Sequence, residues 1–316
     1  MRILVTGGNG YKGHVLVKKL LDHGHEVTSF DINWFGNHHE SHSNFKFIKG
    51  DILNIESVPI KNTDAIIHLA SIANDPCGDL NPKLTWETSC LATYKLADAA
   101  VRAGVERFIY ASSGSVYGLK EEERVTEELS LEPLSEYNKT KMVSERVLES
   151  YSDKINVQIL RPATVCGLSP RMRLDVSVNM LTMQALTNQK ITVFGGNQIR
   201  PNIHIDDICD AYVFLLENPE ISGIYNAGFE NIPILDIAKI IQSKIQCEIE
   251  VSKSNDPRSY RLDSSKLLST GFKPKKTVEI AIEEIIEAYA SKLILDTSNC
   301  YNLRWMETIF KKKDAA

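Results

Sequence analysis

Along the first half of the chain, short apolar runs alternate with longer stretches in which apolar residues recur every three or four positions. RILVTGG, EVTSFDI, FKFIKGD, DAIIHLAS, RFIYASS and VQILRPA read as strands. Between them, YKGHVLVKKLLDHG reads as a helix ending at Gly24, LTWETSCLATYKLADAAVRAG as one stopped by Gly104, and SEYNKTKMVSERVLESYS as one introduced by Ser135. Several strand runs are apolar on consecutive positions, so both faces should be covered. Repeated β-α-β units of this kind predict an α/β fold, a doubly wound parallel sheet with helices on both sides.

The rhythm changes after about Pro162. SPRMRLDVSVNMLTMQALTNQK begins as a basic loop and turns into a helix, and ITVFGG is a strand closing on glycines. RPNIHIDDICDAYVFLLENP reads as a strand and a helix, GIYNAG as a strand, ILDIAKIIQSKI as a helix, and SNDPRSYRLDSSKLLSTGFKPKK as a loop-rich basic segment. The pattern thus predicts a regular domain over 1–162 and a smaller mixed lobe over 163–316, with segments of the latter returning to the former.

Composition changes little in this picture. At 316 residues, 43% hydrophobic and 24% charged, the chain is an average globular protein. A net charge of -5 argues against nucleic acid as a partner, since phosphate binding needs a concentrated positive field. Lysines 311–313 read as a solvated tail. No apolar run is long enough for a membrane helix, and MRILVTGG is not an export signal, so no membrane partner is expected. Cys77, Cys90, Cys166, Cys209, Cys247 and Cys300 form no C-x-x-C pair, which points to reduced thiols in the cytoplasm. His38, His39 and His42 lie in HHESH, which is not H-E-x-x-H, so a solvated loop is expected there and no metal.

Gly7, Gly10 and Gly13 spell G-x-x-G-x-x-G between the first strand and the first helix. A tight turn there brings backbone N–H groups and a helix N-terminus against a pyrophosphate. Asp31 ends the second strand, where a carboxylate accepts hydrogen bonds from ribose hydroxyls and repels a 2′-phosphate; NAD is favoured over NADP. Tyr137 and Lys141, four apart on a helix, share one face, and a nearby ammonium favours a phenolate that can take a proton.

TGGNGYKG, Gly50-Asp51-Ile52, HLAS at 68–71, SSGSVYG at 112–118, Tyr137-x-x-x-Lys141, LRPATVCG at 160–167 and RPNIHIDD at 200–207 together carry a resemblance. From Met1 to about Pro274 the chain resembles the extended short-chain dehydrogenase/reductases, in particular NAD-dependent nucleotide-sugar epimerases and dehydratases such as the UDP-galactose 4-epimerases. The resemblance implies a Rossmann-type domain with a substrate lobe. It implies that Tyr11, Asp51, Ile52, Leu69, Ala70, Ser71, Ser89 and Pro162 join the glycines and Asp31 around NAD. Ser113 would hydrogen-bond the reacting oxygen, Tyr137 would be the base, and Lys141 would also hold the nicotinamide ribose. Thr164, Arg171, Arg173, Asn179, Arg200 and Arg258 would meet a nucleoside-diphosphate sugar. A homodimer through the helices at 84–104 and 137–150 is also implied.

Departures narrow the reaction. Where the 4,6-dehydratases carry an Asp-Glu pair, this chain has Gly114 and Ser115, which disfavours dehydration. Lys12, Ser89 and Thr164 differ from UDP-galactose 4-epimerases, and SPRMRLDVSVN is similar to a loop of GDP-heptose 4-dehydrogenases. The expected activity is oxidation at sugar C4, completed as a 4-epimerisation. The alternatives are a 4-dehydrogenase or 4-keto-sugar reductase, an NADP-linked carbonyl reductase, or a non-catalytic NAD-binding sensor.

Overall fold

A computed structural model describes residues 1–253 and 259–314. In chain order the first part comprises β1 (Arg2–Thr6), α1 (Tyr11–Asp22), β2 (Glu26–Asp31), β3 (Phe45–Lys49), β4 (Ala65–His68), α2 (Asp75–Leu80), α3 (Pro82–Trp86), α4 (Ala92–Arg102), β5 (Arg107–Ala111), α5 (Glu136–Glu149) and β6 (Asn156–Pro162). There follow β7 (Thr164–Cys166), α6 (Ser177–Asn188), β8 (Lys190–Phe194), β9 (Ile199–His204), α7 (Ile205–Glu217), β10 (Gly223–Ala227), β11 (Glu230–Pro233), α8 (Ile234–Lys244) and β12 (Glu248–Ser252). The chain closes with α9 (Ser265–Ser269), α10 (Val278–Ala290) and α11 (Asn302–Asp314).

Seven parallel strands form the main sheet in the order β10-β6-β5-β4-β1-β2-β3. Alternate residues of the same strands feed two separate cores, as a doubly wound sheet requires. Ile3, Val5, Ile67 and Ile109 pack with Leu16 and Leu20 of α1 and Ile208 and Leu215 of α7. Leu4, Ile66, Phe108 and Ile159 face Leu96 and Ala100 of α4 and Leu148 of α5 on the other side. β10 pairs with β6, so the GIYNAG segment returns to the first domain's sheet.

The smaller lobe has a three-stranded sheet, β11-β9-β7, and the pair β12-β8. Its own core joins α6, α8 and α10 through Leu181, Ile237, Ile241 and Ile282. Two features differ from expectation. The helix over 84–104 is α3 and α4 joined by a π turn at Glu87–Leu91. Lysines 311–313, expected as a solvated tail, lie within α11, where Lys311 is exposed.

Candidate active site

A cleft of about 760 Å³ opens at the C-terminal ends of the strands, where the sheet order reverses between β1 and β4. Its cofactor side is built on the glycine loop. Gly7 has φ +74°, and a Cβ there would stand 2.6 Å from the Ala70 nitrogen; one on Gly13 would stand 2.4 Å from the Gly8 carbonyl oxygen. Only hydrogen fits at either position. Gly10, Tyr11, Lys12 and Gly13 then line the cleft at the start of α1.

Two histidines pin this loop from behind. His14 Nδ1 donates to the Gly10 carbonyl and His39 Nε2 to the Gly8 carbonyl, each at 3.0 Å, with the two rings stacked at 4.2 Å. Burial pushes His14 down to about 3, so the ring is neutral, and its Nε2 accepts the His38 N–H. HHESH is therefore only partly the solvated loop expected. His38 and His42 are exposed while His39 turns inward.

Asp31 sits at the tip of β2, its two oxygens accepting the Asn9 and Asn33 amides at 3.0 and 2.7 Å. Burial raises its pKa, and the two amides oppose the rise. Asp51, Ile52, Leu69, Ala70, Ser71 and Pro162 also line the cleft. Ser89 does not. Its hydroxyl hydrogen-bonds Ser71 Oγ at 2.9 Å and accepts the Ile72 N–H from the π turn, so it positions the cleft wall from behind.

On the floor, Ser113 follows β5 and Tyr137 lies in the first turn of α5, which Ser135 caps by accepting the Asn138 N–H. Both line the cleft. Ser113 and Ser115 hydroxyls lie 2.7 Å apart, and Ser115 donates to Asn138. Lys141 is beneath the lining, its ammonium donating to the Ala111 carbonyl at 2.7 Å and standing 5.8 Å from the Tyr137 ring centre. Burial lowers Lys141 to about 7, helped by the charge of Lys12. Burial and the Asp75 carboxylate raise Tyr137 to about 12, against the pull of Ser113. Desolvation therefore outweighs the expected drop.

A buried network lies beneath the floor. Arg161 and Glu145 pair at 2.7 Å with side chains 2% and 1% exposed, Arg161 also donates to Tyr117 Oη, and Ser112 donates to Glu145. On the opposite wall Thr164, Arg173 and Arg200 line the cleft, with Arg173 paired to Asp175 at 2.9 Å. Arg171 and Asn179 stay outside the lining. Arg171 stacks on the Phe35 ring at 3.8 Å and bonds Asn302, and Asn179 is spent on Gly167, Tyr11 Oη and the Arg173 carbonyl. Arg258 lies outside the described residues. Trp34, Asp75, Tyr260 and Tyr301–Arg304 also face the cleft. No spacing rule marks them in the sequence, because loops distant along the chain bring them there.

The sequence profile of the NAD dependent epimerase/dehydratase family matches residues 3–228. The chain belongs to this family. Members similar to it include UDP-glucuronic acid decarboxylase 1 of Danio rerio, 30% identical over 95% of this chain and 75% of that protein. UDP-glucose 4-epimerase of Lactobacillus helveticus is 27% identical over 87% and 92%. The crystal structure of UDP-glucuronic acid 4-epimerase from Bacillus cereus, in complex with UDP-glucuronic acid and NAD, matches with a TM-score of 0.81. It is 30% identical over 93% of this chain and all of that one. The cofactor of the family is NAD, and the residues present fit it: a cradle that any Cβ would fill, and a carboxylate where a 2′-phosphate would be repelled.

Proposed function

We propose that the chain oxidises the C4 hydroxyl of a nucleoside-diphosphate sugar and restores it on the opposite face, a 4-epimerisation. One observation carries this reading: Ser113 and Tyr137 line the same cleft as the glycine loop and as Arg173 and Arg200. When bound, NAD supplies the acceptor and then the donor of a hydride at the sugar carbon. Tyr137 takes the hydroxyl proton and later returns it, and Ser113 holds the reacting oxygen. Lys141, fixed on the Ala111 carbonyl, adds positive charge beneath the phenol. Arg173 and Arg200 hold the diphosphate. Gly114 offers no acid, and the Ser115 hydroxyl is engaged with Ser113 and Asn138, which disfavours dehydration. The decarboxylase and both epimerases carry UDP in their names, so a UDP-sugar is the first substrate class to try.

Net oxidation or reduction at C4, as in a GDP-heptose 4-dehydrogenase, is the second reading, favoured by the loop SPRMRLDVSVN. Incubation with UDP-, GDP-, CDP- and dTDP-sugars and NAD, and with their 4-keto derivatives and NADH, followed by NMR, tests both. A C4 epimer supports the first reading, and a keto sugar formed with one equivalent of NADH supports the second. No product from any sugar refutes both.

We also infer a homodimer. Leu91 and Tyr94, 45% and 47% exposed, stand beside Trp86 and Cys90 on the outer face of the α3–α4 helix. Size-exclusion chromatography with light scattering distinguishes dimer from monomer. Six unpaired thiols fit a reducing, cytoplasmic location; no described helix is long and apolar enough to cross a membrane.

A further inference from the structure

α2 reaches the Tyr137 end of the cleft, and its first residue is an acid with no part in the proton transfer described above. Asn74, Asp75 and Pro76 line the cleft together with Tyr137. Gly78 permits the approach. A Cβ on it would stand 2.9 Å from both the nitrogen and the Cβ of Tyr137, so α2 packs directly on the turn of α5 that carries the phenol. Asp75 lies three positions before Gly78, on the same face of α2. Ser135, the cap of α5, donates to one Asp75 oxygen at 2.8 Å, and Asn74 holds the turn by accepting the Cys77 N–H at 3.0 Å. Of the charges acting on the Tyr137 phenol, the Asp75 carboxylate is the strongest, ahead of the Arg173 guanidinium. The cations that line the cleft come from other elements: Lys12 from the glycine loop, Arg173 and Arg200 from the opposite wall, and Arg304 from the start of α11.

We propose that Asp75 is a specificity-determining residue that reads the groups flanking C4 of the sugar and selects a neutral hexose over a uronic acid. This rests on the C4 reading above, in which Tyr137 takes the proton of the C4 hydroxyl. The ring neighbours of C4 are C3 and C5, so a carboxylate held beside Tyr137 faces the C3 hydroxyl or the substituent on C5. A hydroxyl at either place donates to it, and an ionised acceptor forms a stronger hydrogen bond than a neutral one. A carboxylate at C6 has no proton to donate and brings a like charge into a partly desolvated cleft. Such a group is rejected, not merely left unrecognised.

The test uses the full chain loaded with NAD and two sugars that differ only at C6, UDP-glucose and UDP-glucuronate, with kcat/KM read by NMR and Kd by calorimetry. The unaltered protein should favour UDP-glucose by roughly tenfold or more. Asp75→Asn, which keeps an acceptor for Ser135 and removes the charge, should bring the two sugars within about threefold of each other, chiefly through tighter binding of UDP-glucuronate. Asp75→Ala should narrow the ratio as well, with weaker binding of UDP-glucose. Asp79→Asn, on the same helix but outside the lining, should leave the ratio unchanged. An Asp75 that merely stabilises α2 would, when replaced, lower the melting temperature and the affinity for both sugars together. That constant ratio overturns the proposal, as does an unaltered protein that treats the two sugars alike or prefers the uronate. Binding of neither sugar would instead refute the UDP-sugar reading beneath it, and the proposal with it.

Discussion

On the floor of the cleft, Ser113 and Tyr137 are carried by backbone that the sheet and a capped helix hold in place. On its cover, Arg173 is held by the neighbouring Asp175 side chain, and Asn302 by the side chains of Asp175 and Arg171 from far along the chain. The floor rests on Arg161 and Glu145, fully inside the protein and satisfied by Tyr117 and Ser112. The cover rests on part-exposed pairs such as Arg173–Asp175. The difference teaches where chemistry and recognition are each placed. On the proposed function, groups that transfer a proton need fixed positions and are carried by the sheet edge, whereas the wall proposed to admit and release a sugar nucleotide is tied by part-exposed contacts.

The strongest way to break this comparison is Tyr137→Phe, which deletes only the phenolic oxygen. Turnover should fall by roughly 10²–10⁴ while NADH affinity stays nearly unchanged. A rate close to that of the unaltered enzyme would mean the floor is not the chemical face. Next in size is Glu145→Gln, which leaves Arg161 buried without its counter-charge. It should cost about 3–5 kcal/mol of stability, read as a lower urea midpoint. Arg173→Gln acts on the cover instead. It should raise KM for the nucleotide sugar roughly 10–100-fold with a smaller change in kcat, as for loss of a charged hydrogen bond.

Acid acts to different degrees on the buried His68 of the main sheet and on Asp175 of the cover. His68, on β4, is held between Thr6 Oγ1 at 2.6 Å and Thr93 Oγ1 at 2.9 Å, and burial lowers it to about 3. The unfolded chain therefore binds a proton before the fold does. The stability involved is full above pH ~6.5 and falls by about 1.4 kcal/mol per unit as pH drops toward the lowered value. Asp175 is also lowered, by Arg173 and the Asn302 amide against its burial, so its contribution persists until pH falls through the carboxylate range. The contribution of His68 should thus be lost at milder acidity than that of Asp175. Melting curves from pH 7 to 4 check this, and His68→Gln should flatten the upper part of the slope.

Much of the floor was legible in the chain. Gly7 and Gly13 stand where a Cβ would collide with Ala70 or Gly8, so residue type and position are bound together locally. Tyr137 and Lys141 could be placed on one helix face by spacing, although their pKa shifts could not, since these come mainly from burial. Arg171 and Arg173 show where reading stops. Two positions apart and chemically identical, one lines the cleft and the other stacks on Phe35. His39, set aside as loop, proves to brace the phosphate loop through the Gly8 carbonyl.

By itself, then, the sequence determined what short-range geometry dictates: the strand and helix periods, the glycine turn, the helix-spaced tyrosine and lysine, and the carboxylate closing β2. Tertiary structure alone decided which cations face the cleft, that Ser89 and Asn179 stand behind its walls, and that the start of α11 reaches its lining. The physical reason is range. A turn or a helical face constrains residues within a few positions of one another, so its signature is local. Trp305 meets Trp34, and Asn302 meets Asp175, only because separate elements pack against the same sheet, and no spacing records which partner a distant side chain will find.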